Sequence, residues 1–207
     1  MSQEIAQRIR VLAVAGSLRE GSYNRLLARL AASLAPEGVK IVQFEGLAAV
    51  EPFDEDLEPG GWPTGAAAWG EALQAADAVL VVTPEYNASI PGQIKNAFDW
   101  ASRSLEEPFR DLVRSPMYGK PVAVVSASTG QFGGVWARDE FIKSLKTQGA
   151  RAVEEPKMAV PSAHTAFAED GTLNSAQTTD HLVALLDALA TMTRAVVQAR
   201  AALAKAT

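Results

Sequence analysis

The chain has 207 residues, 48% of them hydrophobic and 21% charged, proportions of a soluble globular protein able to bury a core without staples. Its formal net charge of −5 argues against nucleic acid or an anionic membrane as a general partner, since both are held by clustered Lys and Arg. With no Cys, disulfides, thiolate nucleophiles and cysteine metal cages are excluded. The opening Met-Ser-Gln-Glu-Ile-Ala-Gln lacks the basic start and apolar run of a secretory signal. No apolar run approaches the ~20 residues that cross a bilayer. The expectation is one domain over residues 1–207, in the cytoplasm.

The first apolar run is Ile9–Ala15. It does not alternate polar with apolar, which suits a strand covered on both faces, as in a parallel sheet. A helical stripe follows over Ser22–Leu34, with Tyr23, Leu26, Leu27, Leu30 and Leu34 on one side and Arg25 and Arg29 elsewhere. After the turn at Pro36–Gly38 comes a second strand candidate, Lys40–Phe44, and then a long irregular stretch, Glu45–Gly61. The next buried run is Ala78–Val82. Pro91 then opens a helix whose buried side carries Ile94, Ala97, Phe98 and Ala101. A second irregular stretch, Ser104–Gly119, precedes the run Val122–Val125. A helix over about 134–148, a fifth strand somewhere in Arg151–Val160, and a final helix over about 180–205 complete the chain. Strand and helix alternate throughout, which predicts a parallel sheet with right-handed crossovers and helices on both faces.

In open α/β sheets, ligands sit outside the carboxyl ends of the strands. After the first run comes Gly16-Ser17-Leu18-Arg19-Glu20-Gly21-Ser22-Tyr23-Asn24, leading into a helix. Small residues, helix N–H groups and Arg19 suit a phosphate cradle, though an ordinary turn with Ser22 as N-cap would read the same. The spacing matches neither Gly-x-x-x-x-Gly-Lys-Ser/Thr nor Gly-x-Gly-x-x-Gly. After the Ala78–Val82 run comes Thr83-Pro84-Glu85-Tyr86-Asn87-Ala88-Ser89-Ile90-Pro91. Two prolines fix its backbone, so it is either a rigid connector or a grip for the edge of a flat heterocycle. After the Val122–Val125 run comes Ser126-Ala127-Ser128-Thr129-Gly130-Gln131-Phe132-Gly133-Gly134, again small enough for close approach to a ligand.

Two of these loops carry motifs of a known family. Gly-Ser-Leu-Arg-x-x-Ser-x-Asn at 16–24 and Pro-Glu-Tyr-Asn-x-Ser-x-Pro-x-x-Ile-Lys-Asn-Ala-x-Asp-Trp at 84–100 resemble the NADPH-dependent FMN reductases, which include quinone, azo-dye and chromate reductases. The acidic Phe53–Glu58 stretch is similar to that family's acidic loop, and the resemblance covers about residues 9 to 190. It implies a flavodoxin-like three-layer sandwich with a five-stranded parallel sheet in the order 2-1-3-4-5. It also implies FMN as cofactor, NADPH or NADH as donor, a small-molecule electron acceptor, and a homodimer or homotetramer. Carried onto this chain, Ser17, Arg19, Ser22, Tyr23 and Asn24 would hold the FMN phosphate. Pro84, Glu85, Tyr86, Asn87 and Ser89 would flank the isoalloxazine ring, with Ser126, Ser128 and Gly130 on its other side. The third loop departs from the family's Gly-x-x-Pro-Gly-x-x-Gly-Gly at Ser126 and Thr129.

The chemistry so implied belongs to the flavin, so no side-chain nucleophile is expected. Two other classes compete: a flavodoxin-type electron carrier, which Arg19 in the phosphate loop speaks against, and a non-enzymatic nucleotide-binding module. His164 and His181 form no metal centre by themselves, and Asp54, Glu55, Asp56 and Glu58 read as a solvated acidic loop. Lys95 and Asp99 sit four apart on a helix, as an ion pair would. Trp100 lies off the Ile94/Phe98 stripe, which marks it as a candidate subunit contact.

Overall fold

The continuous apolar runs become strands because each has helices to cover both of its faces. The computed structural model describes residues 8–206. Strands β1 (Ile9–Ala15), β2 (Val39–Gln43), β3 (Ala78–Thr83) and β4 (Pro121–Ala127) lie parallel in the order β2-β1-β3-β4. The outer edge is shared by two short strands, β5 (Arg151–Ala152) and β6 (Met158–Val160), both paired parallel to β4. The single fifth strand expected from the sequence is therefore broken, with Pro156 in the gap, where it has no N–H to give a ladder. The flavodoxin-like order 2-1-3-4-5 stands.

Among the described residues, six helices surround the sheet: α1 (Tyr23–Ser33), α2 (Thr64–Gln74), α3 (Gly92–Trp100), α4 (Val135–Thr147), the short α5 (Ala163–Ala166) and α6 (Ala176–Ala206). Successive strand residues point to opposite layers. Val11, Ala13, Leu80, Val82, Ala123 and Val125 pack with Leu27, Leu182, Leu185 and Leu189 of α1 and α6. Leu12, Val14, Val79, Val81, Val122 and Val124 face the other way, onto Trp69, Ile94, Phe98 and Phe141 of α2, α3 and α4.

Sequence periodicity does not reveal α2, because Thr-Gly-Ala-Ala-Ala-Trp-Gly offers almost no large apolar residues to define a stripe. The helix is needed all the same, since parallel β2 and β3 require a crossover between them. Its first turn is capped from a distance by Glu51, whose carboxylate accepts from Gly65 N at 3.2 Å and Ala66 N at 2.9 Å. Burial pushes the Glu51 carboxyl up, but these backbone donors outweigh it and hold the group below the usual carboxylate range.

Trp100 is not a surface contact. It is fully buried, its Nε1 donates to Glu51 O at 2.9 Å, and its ring packs on Phe53 and Trp62 at 5.0 and 5.2 Å between centroids. The Glu45–Gly61 stretch, which the sequence shows only as irregular, folds over the second apolar face of α3. That stretch contains two short 3-10 turns, Leu47–Ala49 and Glu55–Gly60. Its acidic part is only partly solvated: Glu58 is buried, and its Oε2 accepts from Arg103 Nη2 at 3.0 Å. That hydrogen bond, against the cost of burial, raises the Arg103 pKa. Lys95 and Asp99 do form their ion pair.

Helix α6 is long and apolar enough by composition to cross a membrane, which the sequence reading did not anticipate. Leu182, Leu185, Leu186, Leu189 and Ala190 are instead buried in the core of this molecule. His164 falls in α5 and His181 on the exposed side of α6.

Candidate functional site

The strand register sets where the three loops emerge. Ala15 pairs with Val82, and Thr83 with Ser126, so Gly16 and Pro84 leave the sheet at its carboxyl edge beside Ala127, the last residue of β4. Strand order reverses between β1 and β3, which opens a crevice there. In it lies a cleft of about 160 Å³. Ser17, Arg19, Ser22, Tyr23 and Asn24 line it from the first loop; Pro84, Glu85 and Tyr86 from the second; Ala127, Ser128 and Thr129 from the third. Asn87, Ser89, Ser126 and Gly130 stand beside this lining rather than in it. Larger hollows of about 620 Å³ lie against α4 and α6, away from these three loops.

The first loop is shaped to receive an anion. Gly16 N donates to Val82 O at 2.8 Å, and a Cβ on Gly16 would press on Ile94 and Pro84 at 3.1 and 3.2 Å, so glycine permits the close approach. Ser22 Oγ caps α1, accepting from Asn24 N at 3.2 Å and Arg25 N at 3.5 Å. Among the described residues, the N–H groups of Ser17, Leu18, Arg19 and Tyr23 have no acceptor, and the Arg19 guanidinium has no carboxylate partner. It lies over the Tyr23 ring instead, 5.8 Å from the centroid. Unpaired donors at a helix N-terminus beside an unpaired cation form an anion cradle.

Asn24 does something the sequence did not suggest. Its carboxamide is buried, donating from Nδ2 to Ala127 O at 2.9 Å and accepting at Oδ1 from Ala127 N at 3.1 Å. The side chain is thereby a staple between the first and third loops.

The second loop is a tight turn. Tyr86 and Ser89 exchange two backbone hydrogen bonds of 3.1 Å, and the central residues Asn87 and Ala88 both have positive φ, 52° and 60°. That is the geometry of a type I′ turn. Asn tolerates it, whereas Ala at that φ costs about 1–2 kcal/mol. Glu85 turns its carboxylate to α4, accepting from Trp136 N at 3.0 Å and Ala137 N at 3.1 Å. Tyr86 stands half exposed at the lip, its hydroxyl 3.4 Å from Ser17 Oγ.

In the third loop, Ser128 N donates to Val160 O at 3.1 Å, and Ser128 Oγ accepts from Gly130 N at 3.2 Å. Gly130 O in turn accepts from Ser162 N at 3.1 Å, which ties this turn to the start of α5. Ser126 Oγ is fully buried and has no partner among the described residues. A Cβ on Gly133 would run into the Val160–Pro161 backbone at 2.8 Å, so that glycine lets the loop lie flat on the end of β6.

Fold and cleft together define a class: a flavodoxin-like α/β protein with an anion cradle at the switch point of its sheet and an aromatic at the rim. The model of the NADPH-dependent FMN reductase family matches residues 9–165, and the chain belongs to that family. It is 38% identical over 165 residues to an NAD(P)H-dependent FMN reductase of Pseudomonas aeruginosa, covering 80% of this chain and 84% of the relative. It is 32% identical over 186 residues to the quinone reductase of Escherichia coli strain K12, covering 89% and 95%. Among solved structures, the flavoenzyme NAD(P)H:(acceptor) oxidoreductase FerB of Paracoccus denitrificans superposes with a TM-score of 0.78 at 29% identity, covering 90% of this chain and 97% of that one. The chain is thus an oxidoreductase whose cofactor is FMN and whose donor is NAD(P)H.

The residues present fit that cofactor. N–H groups without an acceptor among the described residues, with the Arg19 guanidinium beside them, meet the needs of a phosphate monoester, and the glycine at 16 leaves the cradle open. Ala127 and Thr129 line the cleft although the sequence did not mark them as binding residues; their place at and just past the end of a buried strand was the available signal.

Proposed function

We propose that this protein reduces quinones, or similar small acceptors such as azo compounds, flavins or chromate, with electrons from NADPH or NADH in a ping-pong cycle. The observation that carries this reading is the meeting of three loops, from three separate strands, in one cleft with Arg19, which has no carboxylate partner among the described residues. In this reading Arg19, the N–H groups of Ser17 to Arg19, and the N-terminus of α1 hold the phosphate, with Ser22 and Asn24 shaping the cradle. Pro84 and Tyr86 rest against the ring, while Glu85, Asn87 and Ser89 keep their loop in place. Ser126, Ser128 and Gly130 form the wall on the other side.

FMN held in this cleft would supply the chemistry, hydride acceptance at N5 from the nicotinamide and two-electron delivery to the acceptor in a second half-reaction. No side chain is a nucleophile. The protein's part is to orient the ring and to aim backbone donors where negative charge grows on reduction. Donor and acceptor use one mouth in turn, which is why the cycle is ping-pong. A single FMN-binding domain, a cytoplasmic location and a homodimer or homotetramer complete the reading; these rest on composition and family resemblance.

The test is a visible spectrum of the purified protein with FMN, before and after anaerobic NADPH, followed by steady-state NADPH oxidation with a quinone. Bleaching and turnover are expected. Arg19→Ala should weaken FMN binding about 10- to 100-fold, the value of a charge-assisted hydrogen bond. A protein that refuses added FMN overturns the reading. One that binds FMN but does not oxidise NADPH is an electron carrier instead.

A further inference from the structure

The loop that flanks the proposed ring site is held by a residue outside it. The Tyr86–Ser89 turn has two non-glycine residues at positive φ, a conformation that persists only where its surroundings impose it. The imposing contacts come from α4. At its first turn, the backbone N–H groups of Trp136 and Ala137 bind the Glu85 carboxylate just before the turn. One turn further along, the Glu140 carboxylate takes hold just after it: Oε2 accepts from Ser89 Oγ at 2.8 Å and from Ile90 N at 3.4 Å. The turn is thus splinted to one helix on both sides. Glu140 lies 51 residues from Ser89 and has no place in either family motif.

We propose that Glu140 is a positioning residue for the flavin: from α4 it keeps the Tyr86–Ser89 turn in the shape that receives the isoalloxazine ring. This rests on the FMN reading above. Two consequences follow from the hydrogen-bond directions. Ser89 gives its only hydroxyl hydrogen to Glu140, so toward a ligand it presents lone pairs alone. Release of Glu140 frees Ser89 Oγ and Ile90 N together, and the strained turn then relaxes away from its left-handed conformation.

The experiment compares wild type, Glu140→Ala and Glu140→Gln. FMN affinity is read by quenching of flavin fluorescence, and amide hydrogen exchange is read at Tyr86 and Ser89 in the FMN-free protein. Glu140→Ala should weaken FMN binding about fivefold, as expected for loss of a solvent-accessible hydrogen-bond pair, and should speed exchange at both amides. Glu140→Gln keeps an acceptor oxygen and should recover most of both. Because Glu140 is exposed, the variants should fold. If Glu140→Ala binds FMN as wild type does, or if exchange at Tyr86 and Ser89 is unchanged, the proposal is overturned. If wild type itself fails to bind FMN, it is the underlying functional reading that has failed.

Discussion

Replacing Asn24 with Ala strips the partner from two backbone groups at once. Ala127 N–H and C=O are both engaged by the Asn24 carboxamide, at 3.1 and 2.9 Å, and both bonds are buried. A buried polar group left unsatisfied costs about 1–3 kcal/mol, so Asn24→Ala should lose about 2–6 kcal/mol. That is a large share of the 5–15 kcal/mol, roughly, that holds a typical domain together. Asn24→Asp should fare no better, since it keeps an acceptor for Ala127 N but sets a second oxygen against Ala127 O. Urea unfolding of the FMN-free protein measures the loss directly, as a lower midpoint at unchanged slope. Suppose instead that Asn24→Ala unfolds within about 1 kcal/mol of wild type while FMN affinity drops tenfold. The side chain would then act on the phosphate, and the staple would be refuted.

Two further outcomes are expected. Ala88→Gly should raise stability by about 1 kcal/mol, because the turn needs φ near 60° there and glycine adopts it without a Cβ penalty; a lower thermal midpoint would contradict this. Lys120, buried with its Nζ donating to Ala76 O, has its pKa pushed down to about 8 by burial and by Arg200. Below pH 8 the lysine is charged in both states and its burial cost is fully present. As pH rises from 8 to the unfolded value near 10.5 the unfolded chain holds more protons, so stability grows. Wild type should therefore gain on Lys120→Met by up to about 3 kcal/mol across that window, and a flat difference would refute the assignment.

Much of the fold could be read from the chain because its signals are local and strong. β1, β3 and β4 are continuous β-branched and aliphatic runs, and α1 has both a clear stripe and its Ser22 cap. What escaped depends on distant partners. Helix α2 is defined by the Glu51 cap and by Trp69 reaching Ala97 O rather than by its own pattern. Trp100 looked exposed because a helical wheel shows one helix, and the cover over it comes from Phe53 and Trp62, some 40 residues earlier. The Glu58–Arg103 pair spans 45 residues and left no local trace. At the site, the loops were legible as small-residue turns after strands, whereas the direction of each side chain was not. Whether Glu85 points to a ligand or to α4 depends on where α4 begins.

That last distinction separates two kinds of residue within the same motifs. Arg19 and Tyr86 face the cleft with no buried obligation elsewhere, so substituting them should change binding and leave the FMN-free protein as stable as before. Ser22, Asn24 and Glu85 line the same cleft, yet their side chains satisfy backbone groups of α1, the third loop and α4. Their loss reaches the ligand only by way of the scaffold. The three loops come from strands far apart in sequence and have to be fastened to one another and to the helices beside them. Polar side chains bonded to backbone do that work, which is why residues that look like a binding motif in the chain also serve as the fastening of the site.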